Sequence, residues 1–387
     1  MRFFAPLLVI ALGGCARTAT TVTIAPIALP FVADTNAVAT IAPGVTHRYI
    51  WSKAGPWAIN VLDVDLSKCY SAVAAKGASG AAGRKKTSDL LSELRTSNQV
   101  IGGVNADFFS LTGFQGIPSG ALIFRGHVVV GSYMQPLLTI DSSGMPRLGM
   151  LGMTGSIIHR GETRPVVGWN RTVGNGLSVY DSRWGNGLDT SSGIVEVVVE
   201  GGSPGRVARV DTTVAGASIP NGGSVIVAGQ TAPERIKQWL RSFSIGDTVR
   251  VALALTPFHP MEAVGGRPML VRDGAILPDV ETEGAVSFRA RNPRTAVGLA
   301  NNAKRMILVV VDGRRSDYSD GMTLRETADL MLALGSRDAI NLDGGGSSAL
   351  VFTDPATKQL GVANRPSDAG GERAVGDALA IVKGCRR

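Results

Sequence analysis

From about residue 45 onward the apolar stretches of this chain are short, and glycine turns separate them. Of 387 residues, 49 are Gly, against roughly 7% in an average protein, so turns are frequent and long uninterrupted helices are not. A helical bundle or coiled coil is thereby excluded. The absence of a Gly-x-y period excludes a collagen-like rod. With 44% hydrophobic and only 18% charged residues, the chain has enough apolar material for a large core and does not read as disordered.

The period of each stretch suggests its state. Trp57–Leu66 alternates with period two and reads as a strand. Val100–Ala106, Leu137–Ile140, Ile194–Glu200, Ser224–Val227, Thr248–Leu255, Met306–Val311, Ala339–Leu342 and Ala374–Val382 are further strand candidates. Helices are few. Thr87–Arg95 carries apolar residues on one face behind an N-cap. Thr231-Ala-Pro-Glu234 and Thr323-Leu-Arg-Glu326 are capping boxes, opening helices over 232–243 and 324–334, with Gly335 stopping the second. The fold class is α+β: strand-rich mixed sheets with a few flanking helices.

The N-terminus reads as an export signal. Arg2 supplies the positive charge, Phe3–Leu12 the short apolar region, and Leu12-Gly-Gly-Cys15 resembles a lipobox in which Cys15 is lipidated. A plain secretory signal with an incidental Cys is the alternative. Residues 16–44, poor in charge and rich in Thr, Ala and Pro, read as a flexible tether. The organisation is then 1–15 signal peptide and lipobox, 16–44 tether, and 45–384 one catalytic domain. Lipidation would place the domain in a bacterial cell envelope, and Ala16 favours the periplasmic face of the outer membrane. With Cys15 lipidated, Cys69 and Cys385 remain, either as one disulfide in an oxidising compartment or as two unpaired thiols.

The formal charge is +8, from 39 Lys+Arg and 31 Asp+Glu, spread thinly along the chain. With only 5% aromatic residues there are few stacking platforms, so no nucleic-acid partner is expected. A mild positive field suits an anionic substrate.

Chemistry concentrates in the last third. Two apolar strands each end in an Asp beside Gly, at Asp312 and Asp343. Three glycines, Gly344, Gly345 and Gly346, follow Asp343 and precede Ser347, leaving backbone N–H groups free to meet a phosphate or polar substrate. Each Asp-Gly is also an ordinary turn signal. Glu326 is a third carboxylate, with N-capping as its plain role. Asn105 and Asp107 end another buried strand. A Ser–His mechanism finds no base, because none of His47, His127, His159 and His259 sits in a recognisable motif. There is no His-rich metal motif. No cofactor is required, although Asp oxygens could hold a divalent cation such as calcium.

These motifs come in a specific order: Asn105-Ala-Asp-Phe-Phe109, Pro118-Ser-Gly120, Gly265-Gly-Arg-Pro268, Pro293-Arg-Thr-Ala-Val-Gly298, Val311-Asp-Gly313, Gly321-Met-Thr-Leu-Arg-Glu-Thr-Ala328, Ala339-Ile-Asn-Leu-Asp-Gly-Gly-Gly-Ser347, Asn364-Arg-Pro-Ser367 and Glu372-Arg373. The series resembles the phosphodiester glycosidase family over roughly 57–383. One departure is Asp107, where the family pattern has glycine. The resemblance implies hydrolysis of a sugar-1-phosphodiester, or a related envelope or exopolysaccharide glycan, at the glycosidic bond. It implies Asp312, Asp343 and Glu326 as candidate catalytic carboxylates. Asn105, Asp107, Arg294, the 344–346 amides, Ser347 and Arg373 become candidate substrate-binding groups, the arginines suiting forked phosphate recognition. Trp184 is a candidate sugar-stacking ring or a core aromatic. Two other readings compete: a noncatalytic polysaccharide- or peptidoglycan-binding lipoprotein on the same fold, and phosphodiesterase chemistry at phosphorus.

Overall fold

The computed structural model describes residues 27–385 apart from 77–79, 132–134, 172, 186, 189–192 and 213–215. The export signal, the lipobox at Cys15 and the first part of the expected tether lie outside the described residues. The rest of that stretch is not all tether: Thr35–Ala42 is a strand that pairs antiparallel with Val45–Ser52. The stretch lacks charge, but backbone pairing to a sheet edge needs none.

Strands dominate, as the glycine spacing predicts, and four α-helices flank them among the described residues. The first sheet has eight strands, in the order Thr35–Ala42, Val45–Ser52, Trp57–Asp65, Arg305–Val311, Arg294–Ala300, Asp338–Asn341, Met269–Arg272 and Ala275–Ile276. A five-stranded sheet runs Leu360–Val362, Leu350–Thr353, Gln99–Asn105, Asp377–Lys383, Tyr70–Lys76. A second five-stranded sheet holds Glu262–Gly265 at its centre. A further eight-stranded sheet, built from residues 152–256, packs the Glu234–Arg241 helix against its own core.

The central strands are buried on both faces, which explains why they read as continuous apolar runs. Along Arg305–Val311, Met306, Leu308 and Val310 join the largest core, while Ile307, Val309 and Val311 pack with the Leu324–Ala333 helix. Along Asp377–Lys383, Leu379 and Ile381 join that same largest core, and Ala378, Ala380 and Val382 pack with the Thr87–Leu94 helix. The largest core therefore joins the first sheet and the two five-stranded sheets, and also takes in Tyr180, Val198, Val225 and Val227 of the second eight-stranded sheet.

A disulfide between Cys69 and Cys385 ties the residue before the Tyr70–Lys76 strand to the segment after the Asp377–Lys383 strand, across 316 residues of sequence. Of the two readings open for these cysteines, the bridge is the one found. Trp184 is fully buried against Phe114 and Tyr180, with its indole N–H donated to the Gly187 carbonyl. The sugar-stacking reading of Trp184 is therefore corrected to a core role.

Candidate active site

Antiparallel register brings the motif residues to one end of two sheets. Arg294 pairs with Val311, which precedes Asp312, and Ala296 pairs with Asn341, just before Asp343. In the neighbouring sheet Asn105 pairs with Ala378, and Lys76 with Asp377.

Asn105 joins the two sheets. Its amide Nδ2 donates to the Asp343 carbonyl at 2.6 Å, and its Oδ1 accepts from the Thr295 hydroxyl at 2.8 Å and the Ala349 N–H at 3.1 Å. The Asp343 N–H in turn donates to the Ala106 carbonyl at 2.8 Å. Three separate motifs are thus bonded together with Asp343 held at both backbone groups. Asn105 is fully buried, so it positions Asp343 rather than touching substrate.

Asp343 keeps partial exposure. Burial pushes its pKa up to about 6, against the opposing pull of the Ser347 hydroxyl, the Arg373 charge and the Gly344 N–H. Ser347 faces this carboxylate without the geometry of a full hydrogen bond, and its hydroxyl is buried with no other partner. A carboxyl with such a pKa exchanges a proton near neutral pH.

Each glycine after Asp343 answers a different close approach. A Cβ on Gly344 would stand 2.6 Å from the Pro293 carbonyl oxygen. Gly345 has φ +62° and donates its N–H to that same carbonyl at 2.9 Å. A Cβ on Gly346 would stand 2.1 Å from Asp368 Oδ1 and 2.3 Å from Arg373 Nη2. Arg373 and Asp368 form a two-pronged ion pair at 2.8 and 3.0 Å, about one-third exposed, directly over the loop. Arg314 stands over Gly345 and donates to Asn292 at 3.1 Å.

Asp312 is built differently. Its carboxylate accepts from the Asn364 amide at 2.9 Å, from the Arg365 N–H at 3.0 Å to each oxygen, and from the Tyr318 hydroxyl at 3.3 Å. It is 1% exposed, and burial raises its pKa. Asn364 also donates to the Ser348 carbonyl at 3.1 Å. Asp312 therefore anchors the 364–365 segment against the end of the glycine loop.

Two predicted site residues belong to the scaffold instead. Arg294 is 2% exposed and donates to three backbone carbonyls, those of Met322, Phe288 and Ala290, at 2.7–2.8 Å. Those bonds occupy Nε and Nη2, so the fork expected to grip phosphate is turned inward. Glu326 closes its capping box, accepting from the Thr323 N–H at 2.8 Å, and pairs with Arg291 at 2.6 Å. Its plain capping role is the one the structure gives it.

Asp107 is buried as well. It accepts from the Gly120 N–H at 2.5 Å and the Gln135 amide at 3.1 Å. A Cβ on Gly265 would collide with it at 2.3 Å, so Pro118-Ser-Gly120 and Gly265-Gly266 both serve this one carboxyl. At 1% exposure it supports the site from behind and is not a direct substrate ligand. Behind it lies Asp377, which the sequence reading missed. The only available signal was a charged residue heading the apolar run Ala378–Val382. Asp368 and Arg314 were missed too, since loop residues carry no periodicity. Among the described residues, no three His, Cys, Asp or Glu side chains gather as a metal-binding group.

Comparison with known proteins places this geometry in context. Residues 193–382 match the family model described as phosphodiester glycosidase. A hypothetical protein from Synechocystis has the same fold at TM-score 0.73 and 21% identity, over 90% of this chain; the chain spans 63% of that protein's length. A protein named as exported, from Burkholderia pseudomallei K96243, superposes at TM-score 0.67 and 25% identity, over 85% of this chain and 74% of its own. The catalytic domain of zebrafish N-acetylglucosamine-1-phosphodiester alpha-N-acetylglucosaminidase aligns over 91% of this chain and 88% of its own, at 16% identity and TM-score 0.43. No curated protein sequence matches significantly. Over residues 193–382, this chain is similar to the phosphodiester glycosidase family.

Proposed function

We propose that the protein hydrolyses the glycosidic bond of a sugar-1-phosphodiester outside the cytoplasm. The observation that carries this reading is Asp343: a strand-end carboxyl, fixed through both backbone groups, with its pKa raised to about 6 beside Arg373. Water attacks the anomeric carbon as the bond to the phosphate oxygen breaks, and the electron pair leaves on that oxygen. The leaving phosphate monoester is already a stable anion, so the step needs less acid assistance than loss of an alkoxide. A proton from the water passes to the Asp343 carboxylate. Arg373, about one-third exposed over the glycine loop, pairs with the phosphate. The oxocarbenium-like transition state is the charge that the nearby carboxylate opposes.

An extracytoplasmic location is supported by the N-terminal export pattern and by the exported Burkholderia neighbour. It also fits the Cys69–Cys385 disulfide, since such bridges persist in oxidising compartments. Among the described residues no helix is long and apolar enough to cross a membrane.

The test is incubation of the purified protein with an aryl sugar-1-phosphodiester. Free sugar is the expected product. Asp343→Asn should lower kcat by about 10²–10⁴-fold while the far-ultraviolet spectrum is unchanged. Sugar phosphate as product would move the chemistry to phosphorus. Glycan binding without turnover would leave only a binding module.

A further inference from the structure

A cleft of about 460 Å³ opens between the Thr87–Leu94 helix and the hairpin of Leu122–Phe124 and His127–Val130. None of its lining residues belongs to the Asp343 site. Lys76, the last residue of its strand, reaches into the cleft lining with an underused ammonium: its one hydrogen bond among the described residues is a long 3.5 Å contact to the Ala82 carbonyl. Burial lowers its pKa to about 8, opposed by the Asp377 charge, so it is still mostly protonated at neutral pH.

Arg125 lines the cleft too. It sits at the hairpin turn with φ +51°, a conformation costly for a side chain of this kind. Its guanidinium lies 4.9 Å above the Phe124 ring and, among the described residues, makes one hydrogen bond, to the Ser97 hydroxyl at 3.3 Å. Arg183 donates to His127 Nδ1 at 3.0 Å at the same rim, with its charge paired to Asp181 at 2.9 Å. Glu93 is the one carboxylate in the lining, and Lys85 already neutralises it. Leu90 and Leu94 supply an apolar wall.

The cleft therefore combines net positive charge, two cations with donor capacity left over among the described residues and an apolar side, at a volume suited to a small ligand. We propose that it is a second binding site, for a small anionic molecule such as an acidic monosaccharide, whose carboxylate or phosphate is held by Lys76 and Arg125. The site stands independently of the glycosidase reading.

Calorimetric titration of the full-length protein with glucuronate and with glucose 6-phosphate tests it, with neutral glucose as control. Saturable single-site binding of at least one acidic probe is expected. Tighter glucuronate binding assigns the carboxylate, and tighter glucose 6-phosphate binding assigns the phosphate. Arg125→Ala and Lys76→Met should each weaken binding about tenfold or more, whereas Arg373→Ala, which strips the other site, should leave it intact. Lys76→Arg, which keeps the charge, should retain most of the affinity. If Lys76→Met does not fold, Arg125→Ala at its exposed turn decides alone. The proposal is overturned if neither acidic probe binds at millimolar concentration, if glucose binds equally well, or if binding survives Arg125→Ala and is lost in Arg373→Ala.

Discussion

The Asp107 backbone N–H donates to the Asp377 carboxylate at 2.9 Å, and both side chains are buried. Among the described residues, the second oxygen of Asp377 has no hydrogen-bond partner. Burial raises both carboxyls above the ordinary range, the Asp107 charge adds to the rise at Asp377, the Asp343 charge adds to the rise at both, and the Lys76 charge only partly offsets the rise at Asp377.

This arrangement sets the direction of the pH dependence of stability. A carboxyl with a raised folded-state pKa contributes stability fully present below the unfolded value near 3.8, and lost as pH rises through the folded value. Asp107, Asp377 and Asp343 all act in this sense, Asp343 through about pH 6. His47, with a lowered pKa, opposes them below its ordinary value of 6.5. Thermal unfolding should therefore give a lower Tm at about pH 8 than at about pH 5. Asp107→Asn should flatten that slope, because Gln135 can rotate its amide to accept from the new side chain. A slope of opposite sign would refute the assignment.

Arg373 holds the Asp343 pKa down. Arg373→Ala should move the kinetic pKa assigned to Asp343 above about 6 and weaken phosphodiester binding more than free-sugar binding. A pH–rate profile and paired calorimetric titrations measure the two effects. Equal loss for both ligands would count against a phosphate role.

Two neighbouring glycines should fail differently. The Gly344 Cβ would meet a backbone carbonyl, which cannot step aside, so Gly344→Ala should cost about 1–3 kcal/mol of stability in urea unfolding. The Gly346 Cβ would meet the ends of the Asp368 and Arg373 side chains, which can move. Gly346→Ala should cost less stability and more activity, by displacing Arg373 from the loop. Equal stability losses would show that the loop resists both in the same way.

The Cys69–Cys385 bridge restricts the unfolded chain over 316 residues. Cys385→Ser should lower unfolding free energy by roughly 2–4 kcal/mol, and adding reductant to the wild type should reproduce the loss. Insensitivity to reductant would mean the bridge is absent in solution.

Periodicity and punctuation in the sequence determined a good deal. The strands at 57–65, 305–311 and 377–383, the capping box at Thr323 and the glycine loop after Asp343 are local features, fixed by side-chain alternation and by backbone φ. The ordered motif series pointed to the family for the same reason, since each motif is contiguous. Which motif residues face substrate was not local. Arg294, Asn105, Asp107 and Glu326 look like site residues in one dimension, but tertiary packing spends their hydrogen bonds on carbonyls, amides and caps. Asp343 and Arg373 stay at the surface of the same cluster. Asp377 and Asp368 come into play only because strand pairing and loop return set them beside residues 270 positions and five positions away. A carboxylate's role depends on what surrounds it in three dimensions, because desolvation and donor count set its proton affinity, and neither is written in the residues next to it.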